Sequence, residues 1–138
     1  DDILILPGGE TWLTSEHEPV LAAAEKLLAR GVLVAAICGA TEAFANRGIL
    51  DSRKHTSNSL SHLEHICPNY RGRDHFISEP AVTDGNLITA SGAAPIDFAY
   101  HIMKHLGVLS ADTLHAWQTL FLSRREEDFF TLMGTLKG

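Results

Sequence analysis

The run Gly31-Val32-Leu33-Val34-Ala35-Ala36-Ile37 ends at Cys38-Gly39-Ala40, and this junction constrains the fold more than any other stretch of the chain. An apolar run of that length has the composition of a strand buried on both faces, as in a parallel sheet. Thr41-Glu42-Ala43-Phe44-Ala45-Asn46 continues at once as a helix. A sharp strand-to-helix turn lifts its central side chain off the sheet, and small flanking residues let the backbone make that turn. Cys38 therefore reads as a nucleophile on an elbow, at a helix N-terminus where unpaired N–H groups favour a thiolate. The competing reading is a small buried core residue, the commoner fate of a free cysteine.

Composition narrows the classes. With 138 residues, 45% hydrophobic and 20% charged, the chain is expected to be one soluble domain, residues 1–138, with material for a real core. No run approaches the roughly 18 apolar residues of a membrane span, and no leader pattern opens the sequence, so no membrane partner is expected. A net charge of −6 with scattered carboxylates argues against a nucleic-acid surface. Two cysteines, Cys38 and Cys67, are too few for a disulfide scaffold, and a reactive thiol suits a reducing, cytoplasmic compartment. Neither Cys-x-x-Cys pairs nor His-Glu-x-x-His spacing occurs, so neither a metal nor another cofactor is expected.

Strand and helix signals alternate along the chain. Asp2 to Leu6 is a short apolar strand stopped by Pro7-Gly8-Gly9. Between Ser15 and Arg30, the spacing of Val20, Leu21, Ala24, Leu27 and Leu28 predicts one face of a helix, its start marked by Ser15, Glu18 and Pro19. After the elbow, Gly48 ends the short helix; residues 49–58 are a loop leading into a short strand, and Leu60 to Ile66 a brief helix stopped by Pro68. Asp84-Gly85-Asn86 signals a hairpin between two strands. A helix opens at Gly92-Ala93-Ala94-Pro95, buries Ala99, Ile102, Met103 and Leu106, and ends at Gly107. Ser110 caps a last helix in which Leu114, Trp117 and Phe121 align. The order predicts an α/β fold, a three-layer sandwich with a mostly parallel, flavodoxin-like sheet and a small β-hairpin.

Three landmarks in sequence carry a resemblance: Asp2-Ile-Leu-Ile-Leu-Pro-Gly-Gly9, then Val-Ala-Ala-Ile-Cys38-Gly-Ala, then Asp84-Gly-Asn-Leu-Ile-Thr-Ala-Ser-Gly92. The chain resembles the DJ-1/PfpI family of the class I glutamine amidotransferase-like superfamily from residue 1 to about Leu106. The resemblance implies that Cys38 is the nucleophilic, oxidation-sensitive cysteine, and that the N–H groups of Gly9 and Gly39 form an oxyanion hole. Converging N–H donors of that kind are worth about 3–4 kcal/mol each in a transition state. Gly9 also reads as an ordinary turn glycine, and Gly85 and Asn86 as hairpin chemistry only.

The chain departs from the family pattern in three ways. The resemblance places the acidic partner of the cysteine on an N-terminal β-α-β segment that this sequence lacks, so the domain is expected to be N-terminally incomplete or to complete its sheet differently; Glu10, beside Pro7-Gly8-Gly9, is the substitute candidate against a solvated loop carboxylate. Gly39 stands where the protease-like branch has a histidine. In the DJ-1 branch the histidine falls within the segment matching Arg53-Lys54-His55-Thr56-Ser57-Asn58, where Ser57 or Asn58 aligns more closely than His55; His55 is nevertheless the candidate base by location, against a strand-end histidine. Beyond the matched core, Trp117, Phe121, Phe129, Phe130, Leu132 and Met133 make an apolar end, split by Arg124 to Asp128. Helix packing is its default reading and a homodimer contact, which the family implies, the other.

Two functions follow from one thiol. The first is a cysteine-dependent hydrolase or amidase, or a glyoxalase- or deglycase-like enzyme, acting on a small-molecule amide or carbonyl. The second is a redox-sensing or stress-response protein whose cysteine is oxidised reversibly.

Overall fold

The structure, a computed structural model, describes residues 2–136. Its strands β1 (Ile3–Leu6), β2 (Leu33–Ile37), β3 (Ala81–Asp84) and β4 (Leu87–Ala90) form one sheet in the order β1-β2-β4-β3. The first two pair in parallel and β2 pairs in parallel with β4, while β3 is an antiparallel edge. Six α-helices lie among the described residues: α1 (Glu18–Ala29), α2 (Gly39–Arg47), α3 (Leu60–Ile66), α4 (Pro95–Leu106), α5 (Ala111–Ser123) and α6 (Glu126–Leu136).

The layering follows from the period-2 alternation of β2. Val34 and Ala36 point into one cluster with Leu21, Ala24 and Leu28 of α1 and Phe44 of α2. Leu33 and Ala35 point the other way, toward Phe98 and Ile102 of α4. Helices on both faces bury Leu33 to Ala36 and partly cover Ile37, which explains why residues 33–37 carry no polar side chain. Phe44 is fully buried, a contribution of about 1.5–3 kcal/mol for an aromatic side chain of this kind.

The hairpin loop is Gly85-Asn86 between β3 and β4. Asn86 does more than turn the chain: its Nδ2 donates to the carbonyls of Leu28 (3.0 Å) and Val32 (2.7 Å), and its Oδ1 accepts from Arg53 (3.2 Å). These bonds clip the α1–β2 loop to the hairpin and so fix the entry of β2.

Several boundaries differ from the sequence expectation. A 3-10 turn over Ser15–His17 precedes α1, so Ser15 does not cap it, and Val20 is exposed while Leu21, Ala24 and Leu28 are buried. Residues 49–58 contribute only an isolated bridge, His55 to Phe76, instead of a strand. In α4 the buried side chains are Phe98 and Ile102, and Leu106 is exposed. Ser110 does cap α5, accepting from Thr113 N–H at 3.1 Å. The C-terminal stretch then breaks at Arg124, a left-handed residue (φ 59°), and α6 folds back against α5. Leu132 is buried there, but Phe129 and Phe130 are both exposed.

Candidate active site at the β2–α2 junction

Cys38 sits between the end of β2 and the start of α2 with φ 59° and ψ −125°. L-residues rarely occupy positive φ; such strain costs of order 1–3 kcal/mol and persists only where the surroundings enforce it. They do so here from both sides. The Cys38 N–H donates to Ala90 of β4 (3.0 Å), and its carbonyl accepts from both the N–H (3.0 Å) and the hydroxyl (2.5 Å) of Thr41. The Thr41 hydroxyl also meets the Ser57 hydroxyl at 2.7 Å, and both residues are buried. An elbow so braced holds the thiol off the end of the sheet.

Two glycines make the close approaches around it. A Cβ on Gly39 would stand 2.0 Å from the Gly9 carbonyl oxygen, so the Pro7-Gly8-Gly9 loop rests directly on the first residue of α2. A Cβ on Gly92 would stand 2.8 Å from Cys38 Sγ, so only glycine leaves the sulfur its space on that side. Trp12 anchors the loop: its Nε1 donates to the Pro7 carbonyl at 2.9 Å, and its ring lies over the seam between Gly9 and Gly39. As the first helical residue, Gly39 carries an N–H with no intrahelical acceptor.

The polar partner of the sulfur is Asn58. Its Oδ1 accepts from the Gly92 N–H (2.8 Å), which fixes the orientation of the amide and directs Nδ2 to Cys38 Sγ (3.6 Å) and Glu42 Oε2 (3.3 Å). The same Glu42 oxygen lies 3.3 Å from His62 Nε2. A continuous line of polar contacts therefore runs Cys38, Asn58, Glu42, His62. Glu42 lies one helical turn past Cys38, and Ser59 caps α3 by accepting from the His62 N–H, which starts the turn that carries His62.

Of the residues singled out from sequence, the structure brings Cys38, Gly9 and Gly39 together at the junction. Glu10 is exposed on the loop after Gly9 and has no hydrogen bond to Cys38 among the described residues. His55 is fully buried and turned elsewhere: Nδ1 lies 2.7 Å from the Arg53 carbonyl and Nε2 2.7 Å from the Tyr70 hydroxyl. The Nδ1–H donates to the carbonyl and Nε2 accepts from the phenol, so both ring nitrogens are engaged away from the sulfur. Burial is the main cause that pushes the His55 pKa below its ordinary value. Sequence reasoning missed Glu42, His62, Gly8 and Gly92. The i, i+4 spacing of Cys38 and Glu42 was the one readable signal among them; the others arrive from distant segments. Gly8 sits nearer the thiol than Gly9, its Cβ position falling 3.0 Å from Cys38 Cβ.

A cavity of about 870 Å³ lies between α3, the 73–80 segment and the start of α4, and Cys38 is not part of its lining. Asn58, Ser91 and Ala93 form part of its wall, and Asn58 and Gly92 are the residues that touch Sγ. The other cysteine, Cys67, is buried, donates to the Glu42 carbonyl at 3.3 Å, and has its pKa pushed up to about 11, chiefly by burial.

Residues 1–105 match the DJ-1/PfpI family. The chain is 48% identical over 135 residues to the Bacillus subtilis protein named uncharacterized protease YoaZ, covering 98% of this chain and 64% of that protein. A second B. subtilis protein, named uncharacterized protease YdeA, is 32% identical over 103 residues, which cover 75% of this chain and 51% of that one. Among solved structures, a thiJ/pfpI family protein from Bacillus anthracis superposes with a TM-score of 0.94 at 49% identity, over 97% of this chain and 63% of the other. A DJ-1 superfamily protein from Agrobacterium tumefaciens gives 0.77 at 35% identity, over 89% and 65%. The chain thus spans less than two thirds of the length of these relatives. Family match, shared fold and the cysteine elbow agree: the chain belongs to the DJ-1/PfpI family.

Proposed function

We propose that this chain carries the nucleophilic centre of a cysteine-dependent hydrolase that acts on a small amide or carbonyl substrate. The observation that supports this reading best is the strained backbone of Cys38, braced on both sides by hydrogen bonds to Ala90 and Thr41. Strain held in place at one residue is a recurrent property of catalytic elbows.

In the proposed reaction the Cys38 sulfur attacks the substrate carbonyl carbon. A C–S bond forms and the carbonyl π pair moves to oxygen, where the N–H groups of Gly9 and Gly39 stabilise it. The carbonyl re-forms, the C–N bond breaks, and the amine leaves with a proton taken from solvent. Water then attacks the thioester, releasing the carboxylic acid and the free thiol. Asn58 offers an N–H to the sulfur and fixes its direction; an amide cannot itself serve as the base at neutral pH.

The relatives' names, proteases in both cases, support hydrolysis as the reaction class. Turnover of a panel of small amides and activated esters by wild type and by Cys38→Ser and Cys38→Ala tests the reading: loss in both variants with the fold intact is expected, and retained turnover refutes it. A second reading, reversible oxidation of Cys38 by peroxide, is favoured by one observation. The sulfur's polar neighbour is an amide N–H, a donor suited to a sulfenate or sulfinate oxygen.

A further inference from the structure

The line of polar contacts that leaves Cys38 continues past Asn58 to a carboxylate. Glu42 lies in the first turn of α2, and its side chain is only 13% exposed. A carboxylate so covered needs partners. Asn58 Nδ2 donates to its Oε2 at 3.3 Å, His62 Nε2 lies 3.3 Å from the same oxygen, and the helix N-terminus favours the negative charge. Among the described residues no other side chain hydrogen-bonds or ion-pairs with this carboxylate. The Cys67 thiol donates instead to the Glu42 backbone carbonyl, at 3.3 Å.

The Asn58 amide is thereby engaged on both of its atoms. Its Oδ1 accepts from the Gly92 N–H at 2.8 Å, while Nδ2 has two hydrogens and two acceptors, Cys38 Sγ at 3.6 Å and Glu42 Oε2 at 3.3 Å. A flipped amide would set its oxygen against the carboxylate and the sulfur, and its NH2 against the Gly92 N–H. Glu42 therefore opposes the rearrangement that would turn a lone pair, in place of a hydrogen, toward the sulfur.

We propose that Glu42 is a positioning residue for Cys38: kept in place by His62, it holds the Asn58 amide so that an N–H faces the sulfur and supports it as the nucleophile. This rests on the reading of Cys38 as the reacting group, and Glu42 acts only through Asn58. A carboxylate that merely tied α2 to α3 would influence Cys38 whether or not Asn58 were present.

Iodoacetamide alkylation of Cys38, with Cys67 read in the same digest, tests this without requiring turnover. The Cys38 sulfur attacks the methylene carbon, a C–S bond forms, and iodide leaves with the C–I electron pair. Glu42→Gln and Glu42→Met both remove the charge at nearly constant size, and only glutamine keeps an oxygen for Asn58, so their ratio reads positioning alone. Glu42→Met should alkylate about three- to tenfold more slowly than Glu42→Gln, the worth of one hydrogen bond. On an Asn58→Leu background the ratio should fall to about one, as expected of two residues that act in series. His62→Leu should slow alkylation in the wild-type background and have no effect beside Glu42→Met. Cys67 should stay protected throughout, because it sits on the Glu42 carbonyl and would label if α2 and α3 parted. Glu42→Ala, which also lacks the oxygen, replaces Glu42→Met should that variant fail to fold. Equal rates in the glutamine and methionine variants overturn the proposal. So does a ratio that survives Asn58→Leu, or a rise in Cys67 labelling that tracks the loss at Cys38. Slowing by His62→Leu that persists beside Glu42→Met removes His62 from the chain of contacts. The predicted ratio without turnover of any amide or ester keeps the positioning role and refutes hydrolysis; turnover with equal alkylation rates does the reverse. A wild-type Cys38 inert to the reagent overturns both.

Discussion

Substituting Gly39 by alanine tests the packing that joins the Pro7-Gly8-Gly9 loop to the elbow. The added Cβ would stand 2.0 Å from the Gly9 carbonyl oxygen, where ordinary contacts begin at 3.4 Å, so the loop must retreat by more than an ångström. Overpacking of this kind costs about 1–3 kcal/mol. Alanine also gains up to about 1 kcal/mol over glycine in helix propensity, and the α2 backbone at residue 39 suits it. The net destabilisation is about 1–2 kcal/mol, a fall in Tm of roughly 3–8 °C for a domain of this size. If the proposed oxyanion role holds, activity should fall much further, about 10²- to 10³-fold in kcat, the penalty for displacing one such donor. Gly9→Ala is the control: its Cβ would meet only Trp12, at 3.5 Å, an ordinary contact. Thermal unfolding by circular dichroism and steady-state kinetics on both variants decide the matter. A Gly39→Ala protein with wild-type Tm and kcat would show that the loop does not rest on the elbow in this way.

Two further predictions concern groups away from the elbow backbone. Asn58→Leu removes the N–H on Cys38 Sγ, so alkylation of Cys38 should slow several-fold, while Tm should change little because the freed Gly92 N–H is exposed to water; unchanged alkylation would show that the amide does not influence the sulfur. His55 has a folded pKa depressed by burial, so the unfolded chain binds its proton first: its contribution to stability is complete above about pH 6.5 and is lost as pH falls below that value toward the folded pKa. His101 is shifted in the same direction, chiefly by burial, and adds to the same slope. Urea denaturation from pH 7.5 to 5 should therefore show declining stability in wild type and a shallower decline in His55→Gln; parallel curves would contradict this.

How much of this could be read from sequence depends on the range of the interactions. The apolar run before Cys38, the stop at Pro7-Gly8-Gly9 and the helix ends at Gly48 and Gly107 are local signals, and the structure places the corresponding elements accordingly. The break at Arg124 was not legible because a left-handed C-cap is usually marked by glycine, and here it is arginine. Asn58, Glu42 and His62 come from a loop and two helices, and their convergence is tertiary. His55 lies three residues from Asn58, and only the fold shows that its ring turns to Arg53 and Tyr70 while Asn58 turns to the sulfur. Proximity in sequence was a poor guide because a loop, unlike a helix, gives no fixed side-chain direction.

Whether Cys38 is a reactive nucleophile is decided by iodoacetamide labelling of the folded protein at pH 7.5, read by peptide mass spectrometry with Cys67 as internal comparison. Cys67 is buried with its pKa pushed up to about 11, and should remain almost unlabelled. Cys38 should label at least about tenfold faster than Cys67, since reactivity follows thiolate character and access. A Cys38 as inert as Cys67 would contradict it.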